Sequence, residues 1–113
     1  MKVSTILAKK GNKLITIAPE QSVKEVVALF AQHNIGAVVV LNDAGALIGI
    51  VSERDVVRQL NQREDLLSQP VKELMTAKVI TCVPQDDLMS AASVMTERRF
   101  RHLPVVEQGK LLG

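Results

Sequence analysis

The pentapeptide Ile15-Thr16-Ile17-Ala18-Pro19 returns 65 residues later as Ile80-Thr81-Cys82-Val83-Pro84. The match continues downstream at the same offset. Ser22 and Asp87, both residues that cap helix N-termini, occupy equivalent places, and the apolar stripe Val23, Val26, Val27 and Phe30 is answered by Leu88, Ala91, Ala92 and Met95. Val38-Val39-Val40 corresponds to Leu103-Pro104-Val105. Upstream, Val3, Ile6 and Leu7 correspond to Val71, Leu74 and Met75 at an offset of 68, and Gly49 corresponds to Gly113 at 64. A period of this size calls for two similar supersecondary units, packed so that each covers the other's apolar face.

Read in order, the chain predicts a short helix from Val3, Ile6 and Leu7, then a polar loop over 8–13. Leu14 to Ile17 reads as a strand ended by Pro19. Ser22 opens a helix and forms a capping box with Glu25; the helix ends at His33-Asn34. Gly36 to Leu41, with its three valines, reads as a buried, parallel-type strand. The turn Asn42-Asp43-Ala44-Gly45 leads into a hairpin partner, Leu47 to Val51, and a helix from Ser52 to about Asn61. The boundaries are therefore repeat one over 1–61, a connection over 62–70 that is polar apart from Leu66-Leu67, and repeat two over 71–113. The fold class is mixed α/β (α+β): two β-α-β-β-α units related by a pseudo-twofold axis. Repeat two stops where its own version of Ile50 to Asp55 is due, and so reads as incomplete.

Composition narrows the function classes. With 47% hydrophobic residues in 113, a real core is available, but Phe30 and Phe100 are its only aromatics. It must be built from Val, Ile, Leu, Ala and Met. A net charge of +2 gives no reason to expect a nucleic-acid or membrane partner. The single cysteine, Cys82, rules out an internal disulfide and reads as a small core residue of a strand. No h-region follows Met1 and no apolar run reaches membrane-spanning length, so a cytoplasmic protein is the expectation. There is no P-loop, no G-x-G-x-x-G, no suitably spaced metal ligands and no Ser/His/Asp or Cys/His constellation, which speaks against an enzyme.

One stretch carries chemistry: Gly49-Ile50-Val51-Ser52-Glu53-Arg54-Asp55. It reads as a strand turning directly into a helix, with Ser52 at the N-cap and Asp55 three residues on. Taken locally, this is a helix cap in which the acid suits the positive end of the helix dipole. The same geometry also serves a ligand, because a carboxylate there accepts hydrogen bonds from a diol such as a ribose.

Together, the paired repeats, the Gly-Ile-Val-Ser-x-x-Asp turn, Val71-Lys72-Glu73-Leu74-Met75-Thr76 as the entry helix of a repeat and Arg101-His102-Leu103-Pro104-Val105-Val106 as its second strand resemble tandem cystathionine-beta-synthase (CBS) domains over essentially the whole chain. The resemblance implies a non-catalytic regulatory pair of the Bateman type. Such a pair binds adenosine-type ligands (AMP foremost, ADP, ATP, NAD or S-adenosylmethionine) in clefts between repeats, dimerises, and signals to a protein partner. It implies that Asp55 binds ribose hydroxyls and that Ser52 lies near ribose and phosphate. The base would pack against Ile80 and its neighbours and against Ile35 and Phe100. At the position after Ile35, where the family often places a basic phosphate contact, this chain has Gly36; repeat two has Arg101 there, followed by His102. One site thus has the acid without its local arginine, and the other the arginine without its acid.

Plainer readings stand beside these. Arg98 and Arg99 read as a solvated helix end, and His33 and His102 as structural or surface residues. Glu53 and Arg54 read as exposed first-turn residues. The alternative to nucleotide sensing is a ligand-independent dimerisation module, which Gly36 favours.

Overall fold

The computed structural model describes residues 1–10 and 14–113. Its elements are α1 (Val3–Lys10), β1 (Thr16–Ile17), α2 (Val23–His33), β2 (Ala37–Leu41), β3 (Leu47–Ser52), α3 (Glu53–Leu60), α4 (Leu88–Arg98), β4 (Val106–Glu107) and β5 (Lys110–Leu111). This is the mixed α and β architecture that the repeats require. The polar segment predicted as a loop is helical as far as Lys10, its two lysines lying at the negative end of the α1 dipole. The remainder of that loop, 11–13, lies outside the described residues.

The 65-residue offset survives in atomic detail. Both ends of α2 map onto both ends of α4. Ser22 caps the first, accepting from Glu25 N–H, and Asp87 caps the second, accepting from Met89 and Ser90 N–H. Each helix is closed by a residue in the left-handed region, Asn34 and Arg99, after which Ile35 N–H and Phe100 N–H reach back to the Phe30 and Met95 carbonyls at 3.1 and 2.8 Å. The predicted box at Ser22 forms only by half. The Glu25 carboxylate accepts instead from the Gln21 side chain, at 2.6 Å.

Chain order and compact units do not coincide. One unit is Ile15–Val79; the other joins Met1–Leu14 to Ile80–Gly113. The leading segment of each repeat is seated in the unit built from the other, through the same hydrogen bonds. Val71 N–H and Lys72 N–H donate to the Gln21 and Pro19 carbonyls, while Val3 N–H and Ser4 N–H donate to those of Asp86 and Pro84.

In the unit 15–79, β1 runs parallel to β2 and β2 antiparallel to β3, with Ile17 opposite Val40 and Val38 opposite Val51. The inward faces of these strands meet Val23, Val26 and Phe30 of α2 and Val56 of α3. Val27, predicted for the stripe, is half-buried. The segment predicted as a polar connection contributes more than its composition promises. Leu66, in a 3₁₀ turn at Leu66–Ser68, is 1% exposed, while its neighbour Leu67 is 45% exposed. Val71 and Leu74 complete this core, but the helix predicted around them is a single 3₁₀ turn, Val71–Glu73. Beyond it, Thr76 exchanges backbone hydrogen bonds with Ile50 at 2.9 and 3.1 Å, which draws the chain out into an extended course.

That course runs over Gly49. A Cβ built there would lie 2.5 Å from Met75 Sδ, 2.9 Å from its Cγ and 3.2 Å from its Cβ. The sulfur can swing away; the Cβ cannot. Gly49→Ala is therefore expected to destabilise by about 1–3 kcal/mol through overpacking. Denaturant unfolding checks this, and an unchanged midpoint would mean that Met75 has room the structure does not show.

The other unit has a smaller core: Val3, Cys82, Ala91 and Val105, with Leu7, Leu103 and Leu112 packed against it. Of the stripe predicted for α4, only Ala91 is buried; Leu88 and Met95 are half-buried and Ala92 is exposed. The strand predicted over 80–84 reduces to one parallel bridge, Cys82 with Val105, equivalent to Ile17 with Val40. The strand expected at Leu103-Pro104-Val105 begins in ladder form only at Val106. Pro104 has no N–H to give a ladder; its carbonyl alone is used, by Cys82 N–H at 2.9 Å.

Candidate functional site

β3 ends and α3 begins without an intervening loop, and this junction holds Ser52 and Asp55. Both halves of the capping box are made. Ser52 Oγ accepts from Asp55 N–H at 3.3 Å, and Asp55 Oδ2 accepts from Ser52 N–H at 2.8 Å and from the Ser52 hydroxyl at 3.0 Å. Both side chains are half-buried. Every one of these bonds to the carboxylate ends on Oδ2; Oδ1 takes part in none of them. The result is a carboxylate held in one orientation by a rigid strand-to-helix turn, with one oxygen outside the box.

Gly36 belongs to the same place. Ala37 pairs with Ser52 across β2 and β3, and the Gly36 carbonyl accepts from Glu53 N–H at 3.0 Å. Ile35, half-buried, precedes it at the end of α2. Thus Ile35, Gly36, Ser52 and Asp55, widely spaced in the chain, are gathered in the unit 15–79. The sequence singles out Gly36 for the charge it lacks. Its backbone role at the start of α3 leaves no signal in side-chain chemistry. The remaining predicted contacts, Ile80, Phe100, Arg101 and His102, belong to the other unit. There Ile80 and Phe100 are half-buried, while Arg101 and His102 are exposed, as are Arg98 and Arg99.

Cys82 is buried in its small core. Burial pushes its thiol pKa up, and the negative charge of Asp86 adds to the rise. A thiol so placed holds its proton at neutral pH and is a packing residue rather than a nucleophile. Among the described residues, no cluster of three or more His, Cys, Asp or Glu side chains is placed to hold a metal ion. No described helix is long and apolar enough to cross a membrane.

The strand-to-helix turn with its Ser and Asp, carried on a duplicated β-α-β-β frame, coincides with a family match over residues 3–62 and 71–113, to the CBS domain. The chain belongs to the CBS-domain family. It is 29% identical to the CBS domain-containing protein YhcV of Bacillus subtilis, over 98% of this chain and 79% of that one. Other curated relatives are longer: the chain spans 61% of one from Acidianus ambivalens and 35% of one from Methanocaldococcus jannaschii. Among solved structures, a CBS-domain-containing protein from Agrobacterium tumefaciens matches with a TM-score of 0.93 and 37% identity, covering 99% of this chain and 84% of that one. A CBS domain pair solved with 5′-methylthioadenosine and S-adenosyl-L-methionine matches at 0.89 and 25% identity, over 100% and 86% of the two chains. A CBS protein solved with AMP matches at 0.77 and 30%, over 88% and 78%.

Proposed function

We propose that this CBS chain is a non-catalytic regulatory module that binds an adenosine-type ligand and passes its occupancy to a protein partner in the cytoplasm. The observation that carries the reading is the Asp55 carboxylate, held through Oδ2 at the head of α3 while Oδ1 takes part in none of the cap bonds. A ribose hydroxyl donating to Oδ1 needs no rearrangement of the turn. Ile35 offers the base an apolar contact on the same unit, and Ile80, Phe100, Arg101 and His102 are proposed contacts carried by the other. Solved relatives holding AMP, 5′-methylthioadenosine and S-adenosylmethionine support this class of ligand. For the ligand to regulate, it must bind two packings of the protein with different affinity. A thermal-shift screen with AMP, ATP, NAD and S-adenosylmethionine tests the reading. At about 100 times the dissociation constant, a true ligand adds about 2.7 kcal/mol to stability. A midpoint that none of the four moves counts against it.

A second reading, a dimerisation module, is favoured by a different observation. Val57 and Leu60, three residues apart on α3, are 65% and 52% exposed, and Met89 on α4 is 73% exposed. Apolar side chains so exposed find cover in a homodimer. Light scattering at micromolar concentration is expected to give twice the chain mass, and a monomer mass would remove this reading.

A further inference from the structure

The leading segments of the two repeats occupy equivalent seats but are not fastened alike. In the unit 15–79, Val71 and Leu74 are both buried, Leu66 lies in the same core, and Met75 packs against it. Val71 N–H and Lys72 N–H are bonded to the Gln21 and Pro19 carbonyls, Val23 N–H to that of Gln69, and Thr76 is paired with Ile50 just beyond. In the other unit α1 buries only Val3; Ile6 and Leu7 are half-buried. Its backbone reaches 80–113 through Met1, Val3 and Ser4, and among the described residues no backbone hydrogen bond ties 5–10 to that segment. At the place equivalent to Thr76, Ala8 lies exposed inside α1. The side-chain link from Lys2 to Gln85 and the ion pair of the Met1 amine with Asp87 are exposed and hold little. A helix of eight residues does not persist without its seat. So α1 is folded on 80–113 or not at all. That seat is a small core in which Val3 lies with Cys82, Ala91 and Val105, and Leu7 packs against them. Cys82, 7% exposed, keeps its cover only while the seat is filled.

We propose that α1 is a strap, which lifts from 80–113 as one cooperative piece while 15–79 stays folded, and that the lifted state uncovers Cys82. The less firmly fastened of two equivalent segments thereby gives the chain a second packing, of the kind that regulation by population shift requires. This motion stands whether or not Asp55 holds a ribose.

The test is native-state amide exchange together with alkylation of Cys82 by iodoacetamide, both on the full chain. Val3 and Ser4 N–H are expected to exchange about a hundredfold or more faster than their equivalents, Val71 and Lys72 N–H. Equal protection at the two places overturns the strap. Leu7→Ala is expected to speed alkylation about tenfold, a half-buried leucine losing less than a fully buried one, and to leave exchange in α2 and β2 unchanged. Val56→Ala weakens the unit 15–79 instead and is expected to leave alkylation as it is. Equal acceleration by the two variants would mean that only global unfolding reaches the thiol. No acceleration by Leu7→Ala would mean that α1 does not cover it. Either result overturns the proposal.

Discussion

Leu66→Ala is expected to cost about 2–5 kcal/mol of stability, the usual range for removing a buried leucine side chain and leaving a cavity. Leu67→Ala, one residue along, is expected to stay within about 0.5 kcal/mol. The contrast follows from exposure of 1% against 45% at adjacent positions. Leu66 lies in the same core as Val23, Val26 and Phe30 of α2 and Val71 of the next turn. It therefore fastens 66–75 onto the sheet-and-helix frame. Urea or guanidinium melts of the two variants give the comparison directly. Two equal, small losses would show that the 3₁₀ turn at Leu66–Ser68 frays without consequence, and that the unit 15–79 is held by its strands and α2 alone.

Asp55→Asn is expected to weaken adenosine-type ligands by roughly tenfold to a hundredfold while moving the ligand-free midpoint by about 1 kcal/mol or less. The amide oxygen of asparagine is still an acceptor for Ser52 N–H and Oγ–H, so the cap persists. What disappears is the second oxygen with its charge: an amide NH2, a donor, takes the place of the Oδ1 acceptor proposed for the ribose, and charge-assisted hydrogen bonds are worth about 1.5–3 kcal/mol. Asparagine is the better probe than alanine. A first-turn acid at an exposed helix start contributes only about 0.3–1 kcal/mol, which is what the sequence leads one to expect of Asp55→Ala. The structure raises that expectation, because Asp55 is half-buried and anchors two bonds from Ser52. Its truncation leaves those donors unmet and mixes folding with binding. Ser52→Ala makes the complementary control: it should cost about 0.5–2 kcal/mol of stability and affect binding less than Asp55→Asn does. Should the Asp55→Asn protein bind as tightly as the unaltered one, Asp55 is a helix cap and nothing more.

The repeat, the order of elements and the capping residues Ser22, Asp87 and Ser52 were legible in the chain itself. They depend on local periods and on short-range hydrogen bonds, which a few consecutive residues specify. Hence α2 and α4 start and stop 65 residues apart in structure as in sequence. Asp55 was legible as a cap; its role toward a ligand is a proposal that rests on the family resemblance.

What needed the tertiary structure depends on partners distant in sequence. Leu66 and Leu67 are the same residue type in the same polar stretch, and only the position of the α2 face decides which is buried. The short turn at Val71–Glu73, where a helix was expected, follows from the pull of the Thr76–Ile50 pairing. The reduced strands around Cys82 and Pro104 follow from a ladder that lacks a proline N–H. The seating of each repeat's leading segment in the opposite unit is a matter of long-range backbone hydrogen bonds, such as Val3 N–H to the Asp86 carbonyl, which no local pattern encodes. The same holds at the site. Composition names Ser52, Glu53 and Gly36, but only the paired β2 and β3 strands bring the Gly36 carbonyl to Glu53 N–H.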